Sequence, residues 1–181
     1  KVSKTFTNKP YQNTVSKLNF NLTNDQKKAL NDINKDLSSK NKMFRLLQGD
    51  VGSGKTIVSL LAAFNSINSG FQVALMAPTE ILARQHYTLA KNIFPKNIKI
   101  EMISGKSDYK IKKIILNKLI NHEIDIIFGT HAMFQKKVNF KNLGLIIIDE
   151  QHKFGVNQRM KLAKKGGNNC DVLLMSATPI P

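Results

Sequence analysis

Gln48-Gly49-Asp50-Val51-Gly52-Ser53-Gly54-Lys55-Thr56 spells G-x-x-x-x-G-K-T directly after the apolar run Phe44 to Leu47. It reads as the end of a strand, a glycine-rich turn and the start of a helix. The glycines let the backbone curl without Cβ clashes, so that successive N–H groups and the helix N-terminus converge on phosphate oxygens. In such a turn Lys55 reaches the β- and γ-phosphates of a nucleoside triphosphate and the Thr56 hydroxyl meets Mg²⁺. A tight turn that only happens to be glycine-rich has no reason to place Lys-Thr at this spacing.

Working outward, the helix from Lys55 carries Val58, Leu61, Ala62 and Phe64 inward and stops at Gly70. Beyond it, apolar runs at Val73 to Met76, Ile98 to Met102, Ile124 to Phe128, Leu145 to Ile148 and Val172 to Met175 alternate with helix-length segments. This is the pattern of an α/β domain with a mostly parallel sheet and helices on both faces. One such helix spans Lys110 to Ile120, with Ile111, Ile114, Ile115, Leu116, Leu119 and Ile120 expected inward. Upstream of the loop, Leu30, Ile33 and Leu37 recur at helical spacing after Thr23 and Gln26, which form a capping box. Gln26 admits a second use, reading the edge of an adenine ring against which Phe20 packs. Residues 1–19 show no sustained period and read as a linker or the tail of a preceding segment.

The 181 residues suffice for one domain with a full core. No apolar run approaches a membrane span and the first residues lack a signal-peptide core, so the expected compartment is the cytoplasm. The single cysteine, Cys170, excludes an internal disulfide and reads as a buried thiol. A net charge of +16 fits a polyanion partner, nucleic acid foremost. The excess is nearly all lysine, with arginine only at 45, 84 and 159, and AT-rich coding produces such a composition without selection for nucleic acid.

Further chemistry is expected at strand C-terminal ends, where open α/β sheets place their ligands. The run Leu145 to Ile148 ends in Asp149-Glu150-Gln151-His152. An acid there suits the hydration shell of the Mg²⁺ that Thr56 meets, and its neighbour suits the attacking water, so Asp149 is assigned to the metal and Glu150 to the water. Ala77-Pro78-Thr79 opens the next helix, which carries Arg84 and Gln85. Thr79 is a helix cap in one reading and, with Arg84 and Gln85, a clamp for a nucleic-acid backbone in the other. Ser104-Gly105-Lys106 and Gly129-Thr130-His131 repeat that geometry, so three hydroxyl-bearing turns can track one strand. Ser176 and Thr178, after the last strand, can bond Gln151 or His152 and couple the two sites, or can simply start a loop before Pro179.

Taken in order, the Gln motif, GDVGSGKT, APTEILARQH, GTHAMFQ, IIIDEQHKFGV and SATPIP resemble the superfamily 2 helicases, and within them the RecG family of bacterial branch-migrating DNA helicases. The resemblance covers residues 20 to 181. Ser53, Glu80 and the Gln151-His152 pair look more like that family than like the transcription-repair coupling translocases. The resemblance implies a RecA-like P-loop NTPase lobe that couples hydrolysis of ATP with Mg²⁺ to movement on branched or forked DNA. It gives Gln26 the adenine contact, Gly49 to Thr56 the phosphates, Asp149 and Glu150 the metal and catalytic acids, and Gln151, His152, Ser176 and Thr178 the coupling role. Thr79, Arg84, Gln85, Thr130 and His131 look like nucleic-acid contacts. Five positions depart: Ser104 and Lys106 in Ser104-Gly105-Lys106, where the family has Thr-Gly-Ser, Lys153 where arginine is usual, Asn157 where glutamate is usual, and Ser176 where threonine is usual. The family also has an N-terminal wedge domain and a second RecA-like lobe carrying arginine fingers, both expected to lie outside this chain. Two other classes fit parts of the pattern: a nucleic-acid binding module gated by ATP, and a small-molecule kinase. Stimulation of ATP consumption by DNA separates them from a motor.

Overall fold

The computed structural model describes residues 1–5, 16, 21–50, 54–150 and 155–177. Strands β1 (Phe44–Gln48), β2 (Gln72–Met76), β3 (Ile100–Ile103), β4 (Ile126–Gly129), β5 (Leu143–Ile148) and β6 (Asp171–Ser176) form one sheet. The helices are α1 (Asn24–Ser38), α2 (Lys55–Asn68), α3 (Glu80–Ile93), α4 (Tyr109–Ile120) and α5 (Val156–Lys165). Every strand pair is parallel and the order across the sheet is β1-β6-β5-β2-β4-β3. Parallel neighbours need crossover connections, which the helices supply.

Strands β2, β4, β5 and β6 are buried throughout, which is why their sequences are nearly continuous apolar runs. Side chains alternate between two layers. Leu145, Ile147, Leu173 and Met175 face α1 and α2, whereas Ile146, Ile148, Val172 and Leu174 share the other layer with Ile115 and Leu119 of α4. Helix α2 is buried from Ile57 to Ile67 because it lies between the sheet and α1. Burying a side chain such as its Phe64 contributes about 1.5–3 kcal/mol. Helix α1 begins with the expected capping box: the Thr23 hydroxyl accepts the Gln26 N–H and the Gln26 side chain accepts the Thr23 N–H.

One expectation is corrected. On α4 only Ile115 and Leu119 are buried, while Ile111 and Ile114 are 52% and 55% exposed and Ile120 is also exposed. Strand β3 is a four-residue sheet edge, so α4 meets a narrow strip and its six apolar positions span a wider arc than that strip can cover. The apolar runs also start ahead of their ladders at Ile98 and Ile124, which are buried but precede the first paired residues, Ile100 and Ile126. Cys170 is buried as expected, and burial pushes its thiol up to about 12. Residues 1–5 carry contacts that no periodicity announces: Lys1 and Lys4 both reach the buried Asp171. Among the described residues, no helix is long and apolar enough to cross a membrane.

Strand order sorts the C-terminal edge of the sheet. Reading from β1, it presents Gly49, Ser176, Asp149, then Thr79, Thr130 and Ser104. Backbone bonds tie neighbours along it: Gly49 N–H to Ser176 O (3.3 Å), Asp149 N–H to Met76 O (2.8 Å) and Ala77 N–H to Gly129 O (2.9 Å).

Candidate nucleotide site and nucleic-acid edge

At the β1 end, Gly54 caps α2 in the left-handed region with φ +80°. A Cβ there would lie 2.2 Å from Gln26 Nε2, so a larger residue would have to displace the end of that side chain as well as adopt the left-handed φ that glycine takes freely. The side-chain amide that caps α1 thus also abuts Gly54 at the start of α2. Lys55 Nζ donates to the carbonyls of Gly49 (2.5 Å) and Asp50 (3.2 Å). Gln26, Gly49, Asp50 and Lys55 line a cavity of about 350 Å³ with Thr23 and Leu47, within the range of small-ligand sites. Thr56 follows in the first turn of α2. Phe20, Val51, Gly52 and Ser53 lie outside the described residues.

Two strands away, Asp149 leaves β5 only 8% exposed, and its Oδ2 lies 2.7 Å from Nε2 of His86. His86 is 7% exposed and belongs to the buried stripe Ala83, His86, Ala90, Ile93 of α3. Glu150 has φ +50°, a left-handed conformation uncommon outside glycine, which turns the chain sharply off the strand. Ser176 is buried; its carbonyl accepts the Gly49 N–H and its hydroxyl donates to Ala177 O (3.1 Å). Its expected partners Gln151 and His152, and Thr178, lie outside the described residues.

The donor set suits Mg²⁺. The Thr56 hydroxyl and the Asp149 carboxylate are hard oxygen ligands, and among the described residues no group of three or more His, Cys, Asp or Glu could cage a metal. Hard oxygen donors are the kind that Mg²⁺ takes alongside waters and phosphate oxygens.

At the β3 end, Thr79, Gly105, Thr130 and His131 line one cavity of about 250 Å³, together with Pro78 and Lys112. The Thr79 hydroxyl caps α3 by accepting the Leu82 N–H (3.2 Å). Ser104 is placed differently from the expectation of a presented hydroxyl. It is buried, donates to the Glu80 carboxylate and accepts the Lys106 N–H. That hydroxyl, with the Lys106 charge and the Gly105 and Lys106 amides, holds Glu80 below the usual carboxylate range. Arg84 and Gln85 do not join this cavity. They line a second one of about 540 Å³ along α3, with Ile81, Thr88 and Leu89, and Glu80 borders both.

The residue that motif reading missed is His86. Its signal is an imidazole at an inward position of a helix whose other inward residues are apolar, and such a ring needs a buried partner.

A DEAD/DEAH box helicase family model matches residues 23–181. The chain is 52% identical over 164 residues to the ATP-dependent DNA helicase RecG of Streptococcus pneumoniae, covering 91% of this chain and 24% of that protein. With RecG of Bacillus subtilis it shares 49% over 177 residues, covering 97% and 26%. The solved structure of RecG bound to a three-way DNA junction superposes with a TM-score of 0.88 at 44% identity, covering 99% of this chain and 24% of that one. The chain thus spans about a quarter of the length of the curated relatives it matches. A parallel sheet with the phosphate loop at one end, the paired acids in the middle and the α3 turn beyond them is the RecA-like helicase lobe, and this chain belongs to the DEAD/DEAH box helicase family.

Proposed function

We propose that this chain is the first RecA-like lobe of an ATP-dependent DNA helicase that moves on replication forks and recombination intermediates, driving branch migration and fork regression. The observation that carries the reading is the order along the sheet edge, with the nucleotide residues Gly49 and Asp149 on one side, the coupling residue Ser176 between them, and the nucleic-acid residues Thr79, Thr130 and His131 on the other. One rigid sheet then links consumption of ATP to contact with a DNA backbone.

In this reading the loop amides and Lys55 hold the triphosphate, and the α2 N-terminus adds its partial positive charge. Thr56 and Asp149 hold Mg²⁺, which when bound compensates charge on the phosphates. Glu150 orients and deprotonates the attacking water. Gln26 reads the adenine edge. Thr79, Thr130, His131, Arg84 and Gln85 grip the sugar-phosphate backbone without reading bases, and Gln151, His152, Ser176 and Thr178 relay the state of the nucleotide to that grip. A second RecA-like lobe supplies arginines that are worth on the order of 10³ to 10⁵ in rate at comparable sites, and a wedge domain splits the fork. The isolated 181 residues therefore bind ATP weakly and hydrolyse it hardly at all. The compartment is the bacterial cytoplasm, which holds both ATP and chromosomal DNA.

The test is ATP turnover by the full-length protein with and without a model fork, across a salt series. Strong stimulation by the fork that fades as salt rises supports a DNA-coupled motor. A folded, ATP-bound protein that no DNA stimulates refutes it.

A further inference from the structure

We propose that His86 is a positioning residue: it sets the Asp149 carboxylate for the metal and makes that setting depend on how α3 sits on nucleic acid. The inference rests on the assignment of Asp149 to Mg²⁺ given above.

The geometry points this way from both partners. An ionised carboxylate only accepts, so the proton in the 2.7 Å contact is on His86 Nε2. This bond occupies Oδ2 of Asp149, and among the described residues no other side-chain partner is seen for that carboxylate, which leaves Oδ1 for the metal shell. The backbone of Asp149 is fixed by the same structural unit, since its N–H bonds Met76 O at the end of β2 and β2 leads through Ala77-Pro78-Thr79 into α3. The acid is therefore held at two points by β2 and the helix that follows it.

That helix is also the one whose outer face carries the nucleic-acid residues. Arg84 and Gln85 precede His86 directly and are exposed, and Thr79 caps the same helix. An α-helix moves as a unit, so a shift of α3 on a phosphate backbone carries Nε2 with it. Hydrogen bonds weaken with misalignment, steeply below about 120°, so a displacement of α3 that tilts Nε2 away from Oδ2 would release the carboxylate. Outer partners of metal ligands typically change metal affinity or activity 10- to 100-fold when removed, which a histidine that only satisfied its own burial would not do.

The test uses the full-length protein and two readouts: Mn²⁺ affinity, measured by EPR with a non-hydrolysable ATP analogue bound, and the ratio of DNA-stimulated to basal ATP turnover. His86→Leu removes the donor at similar volume, His86→Gln keeps an N–H at similar reach, and His86→Asn keeps the polarity but falls short of Asp149. The leucine and asparagine variants should bind Mn²⁺ roughly 10- to 100-fold more weakly and lose DNA stimulation while still binding DNA. His86→Gln should recover both readouts. In an Asp149→Asn background His86→Leu should add no further loss. If His86→Leu is poorly folded by circular dichroism, the glutamine-asparagine comparison carries the same contrast. Unchanged Mn²⁺ affinity in the folded leucine or asparagine variant overturns the proposal. So does a glutamine variant as impaired as the others, or an additive loss in the Asp149→Asn background. Asp149→Asn with unchanged Mn²⁺ affinity instead removes the metal assignment itself, a distinct failure of the reading on which this one rests.

Discussion

Two aspartates stand on neighbouring strands at opposite ends of the sheet, and they are held in opposite ways. Asp171, at the start of β6, is fully buried. It accepts from Lys1 Nζ (2.7 Å) and the Met43 N–H (2.7 Å) on Oδ1, and from Lys4 Nζ (2.6 Å) on Oδ2. Lys4 in turn donates to Asn169 O (3.0 Å) and lies 4.4 Å from the Phe71 ring centroid. Asp149, at the end of β5, has His86 as its one side-chain partner among the described residues. A buried carboxylate whose acceptor sites are filled can only support structure, whereas one with a spare oxygen at a strand C-terminus can bind something else. On the proposed function, the difference separates the end of the sheet that holds the fold from the end assigned to chemistry.

The largest effects should fall on the chemical end and appear in rate alone. In the full-length protein Glu150→Gln should lower ATP turnover by about 10²–10⁴ and leave nucleotide binding and the melting midpoint in place. Lys55→Ala should impair binding and turnover together, because it removes charge from the ground state as well as the transition state. Turnover preserved in Glu150→Gln would dismiss it as the water-activating acid. The structural end should answer in the reverse sense. Asp171→Ala leaves two lysine ammoniums without their counter-charge at a buried position, and breaking such a pair costs about 3–5 kcal/mol. A large drop in the urea midpoint with little change in the KM for ATP is the expected result. A large KM change with unaltered stability would erase the contrast between the two ends.

Gly54→Ala tests whether the nucleotide pocket is itself built with tolerance. The left-handed φ of +80° costs a residue with a Cβ about 1–2 kcal/mol, and the new methyl would meet the Gln26 amide. Nucleotide binding should weaken about tenfold, as read by titration with a fluorescent ATP analogue. Unchanged affinity would mean that Gln26 does not need its place against the loop.

What the sequence made legible was local. The cap at Thr79 and the Thr23-Gln26 box are spacing rules within a few residues, and both are present; of the phosphate loop, Gly54 takes a left-handed turn ahead of α2, and Val51, Gly52 and Ser53 lie outside the described residues. The α/β alternation was legible because buried parallel strands must be apolar throughout. The two aspartate contacts were not, since His86 and Asp149 are 63 positions apart and Lys4 and Asp171 are 167 apart. Only the strand order β1-β6-β5-β2-β4-β3 brings such pairs together, and no period encodes it. The outward isoleucines of α4 failed for a related reason: helical spacing tells which residues share a face, but the width of the strip they meet is set by a sheet edge elsewhere in the chain.

The smallest expected effect concerns a third carboxylate, Glu80, which is neither saturated in the core nor left for a metal. It is held below the usual range chiefly by the Ser104 hydroxyl, with help from Lys106 and the two backbone amides. A depressed folded-state value means that its ionised form is favoured by folding. That contribution is present above the ordinary carboxylate range and is lost as pH falls through the depressed value. Ser104→Ala deletes the largest of these causes and leaves the others, so the titration midpoint of Glu80, followed by NMR of its side-chain carboxyl, should move up toward the ordinary range. Global stability should hardly change, because Glu80 is partly solvated and water takes over much of what the hydroxyl supplied. Glu80 also borders both cavities of the proposed nucleic-acid edge. A shifted midpoint with unaltered DNA affinity would make the Ser104-Glu80 contact a local brace between β3 and α3, akin to Asp171. A loss of DNA affinity in the same variant would instead move this carboxylate to the working side of the molecule, beside Asp149.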